Sequence, residues 1–297
     1  MSVVLFAYHE MGCVALRTLL DLGIEVCAVF THRDDPAENH WFGSVAEAAT
    51  DAGIEVFAPE DVNAAPWVER LGALAPELLL SVHYRRILRR ALRRVPRRGC
   101  VNLHPSLLPR YRGRCPINWQ LIHGEPQSGV TLHHMVARAD AGDIVDQEAV
   151  EVGPNDTALD LYWRLVPAAE AVLRRSLPAL LAGTASRRPQ DESRASTFGG
   201  RTPSDGRIDW SWPARRIHDL VRAVAPPWPG AFCEGPGGRL EVHATRPRPW
   251  GEDWPPFSPG GVWADGEGQR VVRAGDGEGL ELLRVAGELP PAGARLR

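Results

Sequence analysis

Two polar residues at the end of a short apolar segment have the types and spacing that acyl transfer requires. The segment Cys100 to His104 (CVNLH) is predicted as a strand, and Pro105 ends it. Asn102 and His104 are two residues apart, so their side chains point to one face of that strand. A carboxamide N–H can stabilise an oxyanion, and an imidazole can accept a proton from an attacking amine. The same spacing also suits two side chains that cap loop backbone groups, and both interpretations stay open at this point.

Asp140, within ARADAGD, is a third candidate. A carboxylate can orient a histidine as in catalytic triads, but an aspartate beside Gly142 is also typical of a turn. The spacing does not show that Asp140 meets His104. The adjacent His133 and His134 should point to opposite faces of a strand, which favours one core and one surface imidazole. We expect no metal, because the sequence has no H-x-x-x-H motif and no Cys/His cluster.

The elements that would position these residues alternate between strand and helix over the first 80 residues. Strands are predicted at 2–8, 24–32, 54–60 and 78–82, and helices at 11–22, 45–53 and 67–75. Apolar strands separated by helices predict an α/β fold, with a Rossmann-like, mostly parallel sheet and helices on both faces. The turn after the first strand (AYHEMGC) lacks G-x-G-x-x-G, so no dinucleotide is expected there. Such folds bind ligands at the carboxyl ends of their strands, where Asn102 and His104 lie.

The second half of the chain begins with two more predicted strands, 129–136 and 142–152, and a long helix from Asn155 to Gly183. Asp156 is the expected cap of that helix, and Pro167 and Pro178 should bend or interrupt it. After residue 203 prolines and glycines are dense and short β-like pieces recur, which predicts a small β-rich, OB-like domain. The expected domains are a catalytic domain at 1–203 and a C-terminal domain at 204–297.

Composition narrows the class of protein. The 297 residues are 44% hydrophobic and 24% charged with a net charge of -3, which suits a globular protein without a polyanionic partner. The five cysteines are scattered and contain no CxxC pair, which favours a reducing compartment. No leader segment and no apolar run of about 20 residues is present, so we expect a cytoplasmic protein without a membrane partner. The run Arg85–Arg98 is interpreted as an exposed basic helix face or as a nucleic-acid patch.

Three separated elements resemble the signature of the folate-dependent formyltransferase family. They are Asn102-x-His104, the loop SLLPRYRG from Ser106 to Gly113, and Thr131-Leu132-His133 followed by Asp140 and Gly142. The resemblance covers nearly the whole chain and is greatest to members that formylate UDP-4-amino-4-deoxy-L-arabinose in lipid A modification. It includes FAYHEMGC, VFTHRDDP, SVHYRRIL and FGGRTPSDG.

The resemblance implies roles for the matching positions. His104 would be the general base or proton shuttle, Asn102 would stabilise the transition state, and Asp140 would raise the basicity of His104. The co-substrate would be 10-formyltetrahydrofolate, and the positions implied to bind it are Arg86, Ile87, Leu88, Arg114, Val136, Ala137, Arg138, Ala139 and Asp140. In the loop Arg110–Arg114, recognition of phosphate or acceptor is favoured over a solvated surface, with Arg114 as the first candidate.

The implied reaction transfers a formyl group to the amine of a nucleotide-linked amino sugar, UDP-4-amino-4-deoxy-L-arabinose or a similar 4-amino sugar. One alternative is a methionyl-tRNA formyltransferase; another is a catalytically silent folate- or nucleotide-binding module. From Asp205 to Arg297 twelve arginines face thirteen acidic residues, a balance that argues against a tRNA-gripping domain. The presence of Asn102, His104 and Asp140 argues against the silent module. By family analogy a homodimer would form through the second domain.

Several features depart from these relatives or stay ambiguous. The relatives continue into a decarboxylating dehydrogenase domain, whereas this sequence ends at Arg297, so we expect no oxidative decarboxylation. Pro105 and Cys115 replace small residues and could change loop rigidity or acceptor fit. Trp210, Trp212 and Trp228 are expected to seal a domain interface, with stacking on a sugar or nucleobase as the alternative.

Overall fold

The computed structural model describes residues 1–33 and 39–297, so the end of the VFTHRDDP motif lies outside the described residues. The chain forms two compact units, here called unit 1 and unit 2. Unit 1 comprises Met1–Pro116, Gln127–Glu151 and Trp163–Phe198, and unit 2 comprises Ile117–Pro126, Val152–Tyr162 and Gly199–Arg297. The units therefore alternate along the chain, and the single boundary expected after residue 203 stays a prediction.

The described residues form the following elements in chain order. They are β1 (Ser2–Ala7), α1 (His9–Asp21), β2 (Glu25–Phe30), α2 (Val45–Asp51), β3 (Val56–Phe57), α3 (Ala65–Leu74), β4 (Leu78–Val82), α4 (Arg90–Arg93), β5 (Cys100–His104), β6 (Arg112–Gly113), α5 (Pro116–Ile122), β7 (Gln127–His134), β8 (Ile144–Glu151), α6 (Ala158–Ala182), β9 (Thr197–Phe198), α7 (Ala214–Val224), β10 (Ala231–Gly235), β11 (Gly238–Arg248), β12 (Val262–Ala264), β13 (Arg270–Arg273) and β14 (Gly279–Ala286). Short 3₁₀ turns occur at Glu192–Arg194 and Pro203–Gly206.

Unit 1 is built on a seven-stranded sheet with the order β3-β2-β1-β4-β5-β7-β8. The first five strands of that order run parallel, and β7 and β8 are antiparallel to their neighbours. All five residues of β4 are buried, as continuous apolar runs in parallel sheets require. The predicted α/β class with a mostly parallel sheet is therefore confirmed.

One strand pair in this sheet sets the positions of the polar residues. Strand β7 runs antiparallel to β5, with Asn102 opposite His133 and His104 opposite Thr131. Directly opposed residues in an antiparallel pair project from the same face. Four polar side chains from the two strands thus share one face of the sheet, and two of them are histidines.

The basic run Arg85–Arg98 is not one helix, which corrects the interpretation as a helix face. Only Arg90–Arg93 is helical. The side chain of Asn63 holds the preceding residues in another conformation: its Oδ1 accepts from the Arg89 N–H at 2.7 Å and its Nδ2 donates to the Ile87 carbonyl at 3.0 Å. Leu88 is buried in the apolar cluster of unit 1, so the backbone is fixed from both sides.

The long helix α6 runs through Pro167 and Pro178, so the two prolines do not interrupt it, and the alternative expectation of a bend stays a prediction. Its first turn is capped by Thr157 rather than Asp156. The Thr157 hydroxyl accepts from the Asp160 N–H at 3.2 Å, and the Asp160 carboxylate accepts from the Thr157 N–H at 2.9 Å. This reciprocal pair satisfies two backbone donors of the helix start. In residues 1–33 and 39–297, no helix combines the length and apolar composition that crossing a bilayer requires.

Unit 2 contains a five-stranded antiparallel sheet with the order β10-β11-β14-β13-β12. Helix α7 packs on this sheet through a buried face that includes Ile217, Leu220 and Val221. The Asn118 amide of α5 donates to the carbonyl of Ala223 at 2.7 Å and so ties α5 to the end of α7. The predicted β-rich C-terminal part is confirmed.

Candidate active site

Asn102 is paired side by side with a histidine that the spacing argument had set aside. Its amide Nδ2 lies 3.3 Å from Nε2 of His133. The other ring nitrogen of His133, Nδ1, lies 2.9 Å from the carbonyl oxygen of His134. A carbonyl can only accept, so Nδ1 carries a proton, and Nε2 is assigned as the acceptor of the Asn102 N–H. This chain of bonds turns the amide nitrogen of Asn102 toward His133 and leaves its second N–H for another acceptor.

His104 has a defined tautomer for the same reason. Its Nε2 lies 2.8 Å from the carbonyl oxygen of Tyr111 and must donate to it, which leaves Nδ1 as the basic nitrogen. The side chain is only 6% exposed. Burial lowers the pKa of His104, and this outweighs the opposing effects of Asp140 and the bond to Tyr111. A neutral imidazole with a free Nδ1 lone pair is therefore the form present near pH 7.

Asp140 lies next to both histidines. Its Oδ1 is 3.7 Å from Nδ1 of His104 and 3.5 Å from Nε2 of His133, and its Oδ2 accepts from the Gly113 N–H at 2.8 Å. Burial would raise the pKa of Asp140, but attraction to His104 and the hydrogen bond from the Gly113 N–H act against burial, and the pKa lies below its usual range. His104 lowers the pKa of Asp140 only when the imidazole ring is charged. The hydrogen bond from the Gly113 N–H lowers that pKa whatever the charge of His104. We therefore assign an ionised Asp140 beside a neutral His104.

The backbone of Asp140 is held in a left-handed conformation, with φ of 52°. The side chain of Gln190 fixes it there: Nε2 donates to the carbonyls of Asp140 at 2.8 Å and Gly142 at 2.7 Å. The Oε1 of Gln190 accepts in turn from Arg112 at 2.6 Å. A strained residue held by a satisfied hydrogen-bond network is typical of a functional site.

Arg112 belongs to the hydrogen-bond network that holds Asp140 and does not form part of an exposed anion-binding surface. Its side chain is 1% exposed and its guanidinium also binds Glu192, at 2.7 and 3.1 Å. The interpretation of the whole loop Arg110–Arg114 as a phosphate-recognition surface was therefore wrong for this residue, because its donors are used internally. Arg110 and Arg114 are exposed, and the Arg114 N–H donates to the Phe198 carbonyl at 3.0 Å.

The positions implied for folate fall on two segments of unit 1, 86–88 and 136–140, and on Arg114 between them in the chain. Arg86 and Ile87 are exposed while Leu88 is buried, and the segment 136–139 is exposed throughout. Ile87 is 74% and Val136 is 43% exposed, which makes them two of the few large apolar side chains of the described chain that face solvent. Leu88 and Met135 belong to the same apolar cluster, so the two segments start from a common base. Exposed apolar side chains on an ordered base suit a flat aromatic ligand.

Sequence reasoning missed three residues that complete this site: His133, Tyr111 through its carbonyl, and Gln190. The alternation argument correctly separated His133 from His134, but it could not show that His133 lies opposite Asn102. Only the strand register carries that signal. Within residues 1–33 and 39–297, no group of three His, Cys, Asp or Glu side chains is arranged to hold a metal ion.

The arrangement can stabilise an oxyanion through Asn102 and accept a proton at Nδ1 of His104.

Similar solved structures include the sugar 3N-formyl transferase WlaRD in the presence of dTDP and 5-N-formyl-THF (18% identity, TM-score 0.69, 96% of this chain and 98% of that chain). They include an N-formyltransferase from Helicobacter canadensis with folinic acid and dTDP-3-aminofucose (19%, TM-score 0.71, 95% and 98%). A methionyl-tRNA formyltransferase from Clostridium thermocellum is also similar (16%, TM-score 0.57, 82% and 92%).

The sequence itself matches a family of known proteins over most of its length. Residues 15–177 match the formyl transferase family, and residues 201–289 match the formyl transferase C-terminal domain. The first of these matches covers more than half of the chain. The protein belongs to the formyl transferase family.

Proposed function

We propose that the protein transfers a formyl group from 10-formyltetrahydrofolate to the amine of a nucleotide-linked amino sugar. The observation that carries this proposal is the convergence of Asn102, His104 and Asp140 in unit 1 of a formyl transferase family member. The acidic side chain, the base and the amide donor are each fixed by a hydrogen bond to backbone or to a neighbouring ring. Such preorganisation is what electrostatic catalysis of acyl transfer needs.

In the proposed reaction the neutral amine attacks the formyl carbon and negative charge develops on the formyl oxygen. The free N–H of Asn102 donates to that oxygen. Nδ1 of His104 takes the proton that the amine loses, and Asp140 stabilises the imidazolium formed. The same proton then passes from His104 to N10 of the departing tetrahydrofolate as the carbon–nitrogen bond breaks. No proton or electron is left over, and no metal step is needed.

For the folate, we propose the backbone of Arg86, Ile87 and Leu88 together with Arg114 and the segment 136–140. The exposed Ile87 and Val136 side chains would be covered by the pterin, which supports this assignment. The bonds from Asn63 to Ile87 and Arg89 would keep the first segment rigid before binding. A preformed site lowers the entropic cost of binding.

For the acceptor, we propose UDP-4-amino-4-deoxy-L-arabinose or a similar 4-amino sugar. The support comes from the motifs shared with family members that use it, and from two similar structures whose ligands are dTDP and dTDP-3-aminofucose. The similarity to a methionyl-tRNA formyltransferase keeps tRNA as the second candidate. Against tRNA stands the charge balance after Asp205, because gripping phosphates requires a positive excess.

The test is release of tetrahydrofolate from 10-formyltetrahydrofolate in the presence of single acceptors. The acceptors are UDP-4-amino-4-deoxy-L-arabinose, dTDP-linked amino sugars and methionyl-tRNA, with His104→Ala as the control variant. Turnover on a nucleotide sugar that the variant lacks would support the proposal. Turnover on methionyl-tRNA alone would replace it with the second candidate, and turnover that persists in the variant would refute the role of His104.

A further inference from the structure

Unit 2 has a groove of about 630 Å³ that the chemistry above does not use. It is lined by residues of α5 and α7 and by the segment that follows Gly199. Two tryptophans, three arginines and a histidine dominate its lining: Trp119, Trp212, Arg201, Arg215, Arg216 and His123. Its volume is within the range of about 300–1,000 Å³ that small-molecule sites occupy.

The groove has a rigid frame. Trp119 and Ile122 lie three apart on α5, and His123 directly follows the helix with its N–H bonded to the Trp119 carbonyl at 3.1 Å, so the three residues share one face. The Asn118 bond to Ala223 fixes α5 against α7, and the indole N–H of Trp119 donates to the Gly199 carbonyl at 3.1 Å. The aromatic walls are thus set before any ligand arrives.

Guanidinium groups lie on both tryptophans. Arg216 is 3.9 Å from the centre of the Trp212 ring and Arg201 is 4.9 Å from that of Trp119. Arg201 donates to the backbone carbonyl of Asp205 at 3.0 Å. In the part of the chain that the structure describes, Arg216 forms no ion pair within 4.0 Å. Positive donors therefore stand beside flat aromatic surfaces along the groove.

The charge of the groove is positive although two carboxylates line it. Asp219 is shared between Arg215 at 3.0 Å and the buried Arg222 at 2.7 Å, so one negative charge faces two guanidiniums. Arg215 and Arg216 also occupy the first turn of α7, which contains no acidic residue. The helix dipole opposes cations at that end, and an i,i+4 ion pair with Asp219 offsets this for Arg215 but not for Arg216. An anionic ligand at the start of α7 would be favoured by both the helix dipole and the charge of Arg216.

We propose that this groove binds a nucleoside diphosphate. Its base would stack on an indole and its phosphates would receive the forked donors of Arg216 and Arg201. The choice of a nucleotide over another aromatic anion rests on the proposed function. This nucleotide is either the nucleotide part of the sugar acceptor or a free nucleotide bound apart from the acceptor. The two sources are distinguished by whether a groove variant raises the KM for the nucleotide sugar.

The test is direct binding of UDP and of dTDP to the full chain by calorimetry, without folate or transfer. Arg216→Gln should weaken binding by about tenfold or more, as expected for loss of a charged hydrogen bond, and Trp212→Leu should weaken it through loss of stacking. Arg239→Gln is the matched control, because Arg239 stacks on Phe232 at 3.8 Å outside the groove and should leave binding unchanged. Circular dichroism would verify that each variant is folded.

Weaker nucleotide binding in Arg216→Gln but not in Arg239→Gln supports the proposal. A raised KM for the nucleotide sugar at unchanged kcat would then assign the nucleotide to the acceptor, and an unchanged KM would assign it to a separate ligand. Equal affinities in the wild type and both groove variants would overturn the proposal, as would absence of nucleotide binding by the wild type. Nucleotide binding without formyl transfer would instead contradict the proposed function and leave the groove assignment standing.

Discussion

Replacing His133 with phenylalanine should slow the proposed transfer modestly by releasing Asn102. The variant keeps a ring in the buried space and removes the nitrogen that accepts from the Asn102 amide at 3.3 Å. That bond is long, so its net worth is about 1 kcal/mol, which corresponds to a loss of about fivefold in kcat. Removing the donor itself, in Asn102→Ala, should cost about 10²–10³ in kcat because an oxyanion partner is lost.

The assay is kcat from tetrahydrofolate release at saturating substrates, with a double-mutant cycle. If His133 acts through Asn102, then the double variant Asn102→Ala/His133→Phe should be no slower than Asn102→Ala alone. His134→Phe is the control, because this neighbour points to the other face of β7 and should leave kcat unchanged. Losses that multiply in the double variant would refute the positioning role, and a His133→Phe variant as slow as His104→Ala would indicate that His133 is itself a base.

Three further outcomes follow from single features of the structure. The acid limb of the kcat profile should lie below pH 6.5, because burial lowers the pKa of His104; a limb above pH 6.5 in the enzyme with bound substrates would contradict the neutral, buried base. Thermal stability should fall as pH drops from 6.5 toward 4: burial lowers the pKa of His83 to about 4, so in that interval the unfolded chain binds the extra proton. His83→Gln should flatten this fall in a melting series, and an unchanged slope would exclude His83 as its source. Gly142→Ala should lower the Tm strongly, because the added Cβ would overlap the His134 carbonyl oxygen. In helix α3, the Cβ added by Gly72→Ala has open space, so this variant should stabilise the folded protein by about 0.5–1 kcal/mol. Equal Tm values for the two variants would refute this contrast.

The first half of the sheet could be predicted because its strands are short apolar runs between turn signals. Strands β4 and β5 have the predicted bounds. The direction of β7 could not be predicted, because alternation of side chains is the same in parallel and antiparallel strands. The conformation of Arg85–Arg98 also escaped prediction, since it depends on Asn63, a residue more than 20 positions earlier.

The sequence predicted the site residues whose type alone decides the chemistry. It could not predict the features that depend on hydrogen bonds from residues distant in the chain. Asn102, His104 and Asp140 were candidates from their types and from the family motif, and the structure places all three together. The tautomer of His104 depends on the Tyr111 carbonyl, and the conformation of Asp140 depends on Gln190, 50 residues later. Neither partner contributes a side-chain type that signals its role. Arg112 looked like a ligand-binding arginine because its burial cannot be read from a polar loop.

The antiparallel pairing of β5 with β7 also has a consequence for biosynthesis. The first 104 residues contain Asn102 and His104, yet His133 and Asp140 emerge from the ribosome later. Side chains alternate along a strand, so a slip of one residue in this pairing would turn His133 to the opposite face. His133 therefore reaches Asn102 in a nascent chain only after β7 has paired with β5 in this register. Truncated products of translation that end before Asp140 lack the carboxylate that lies beside His104 and His133.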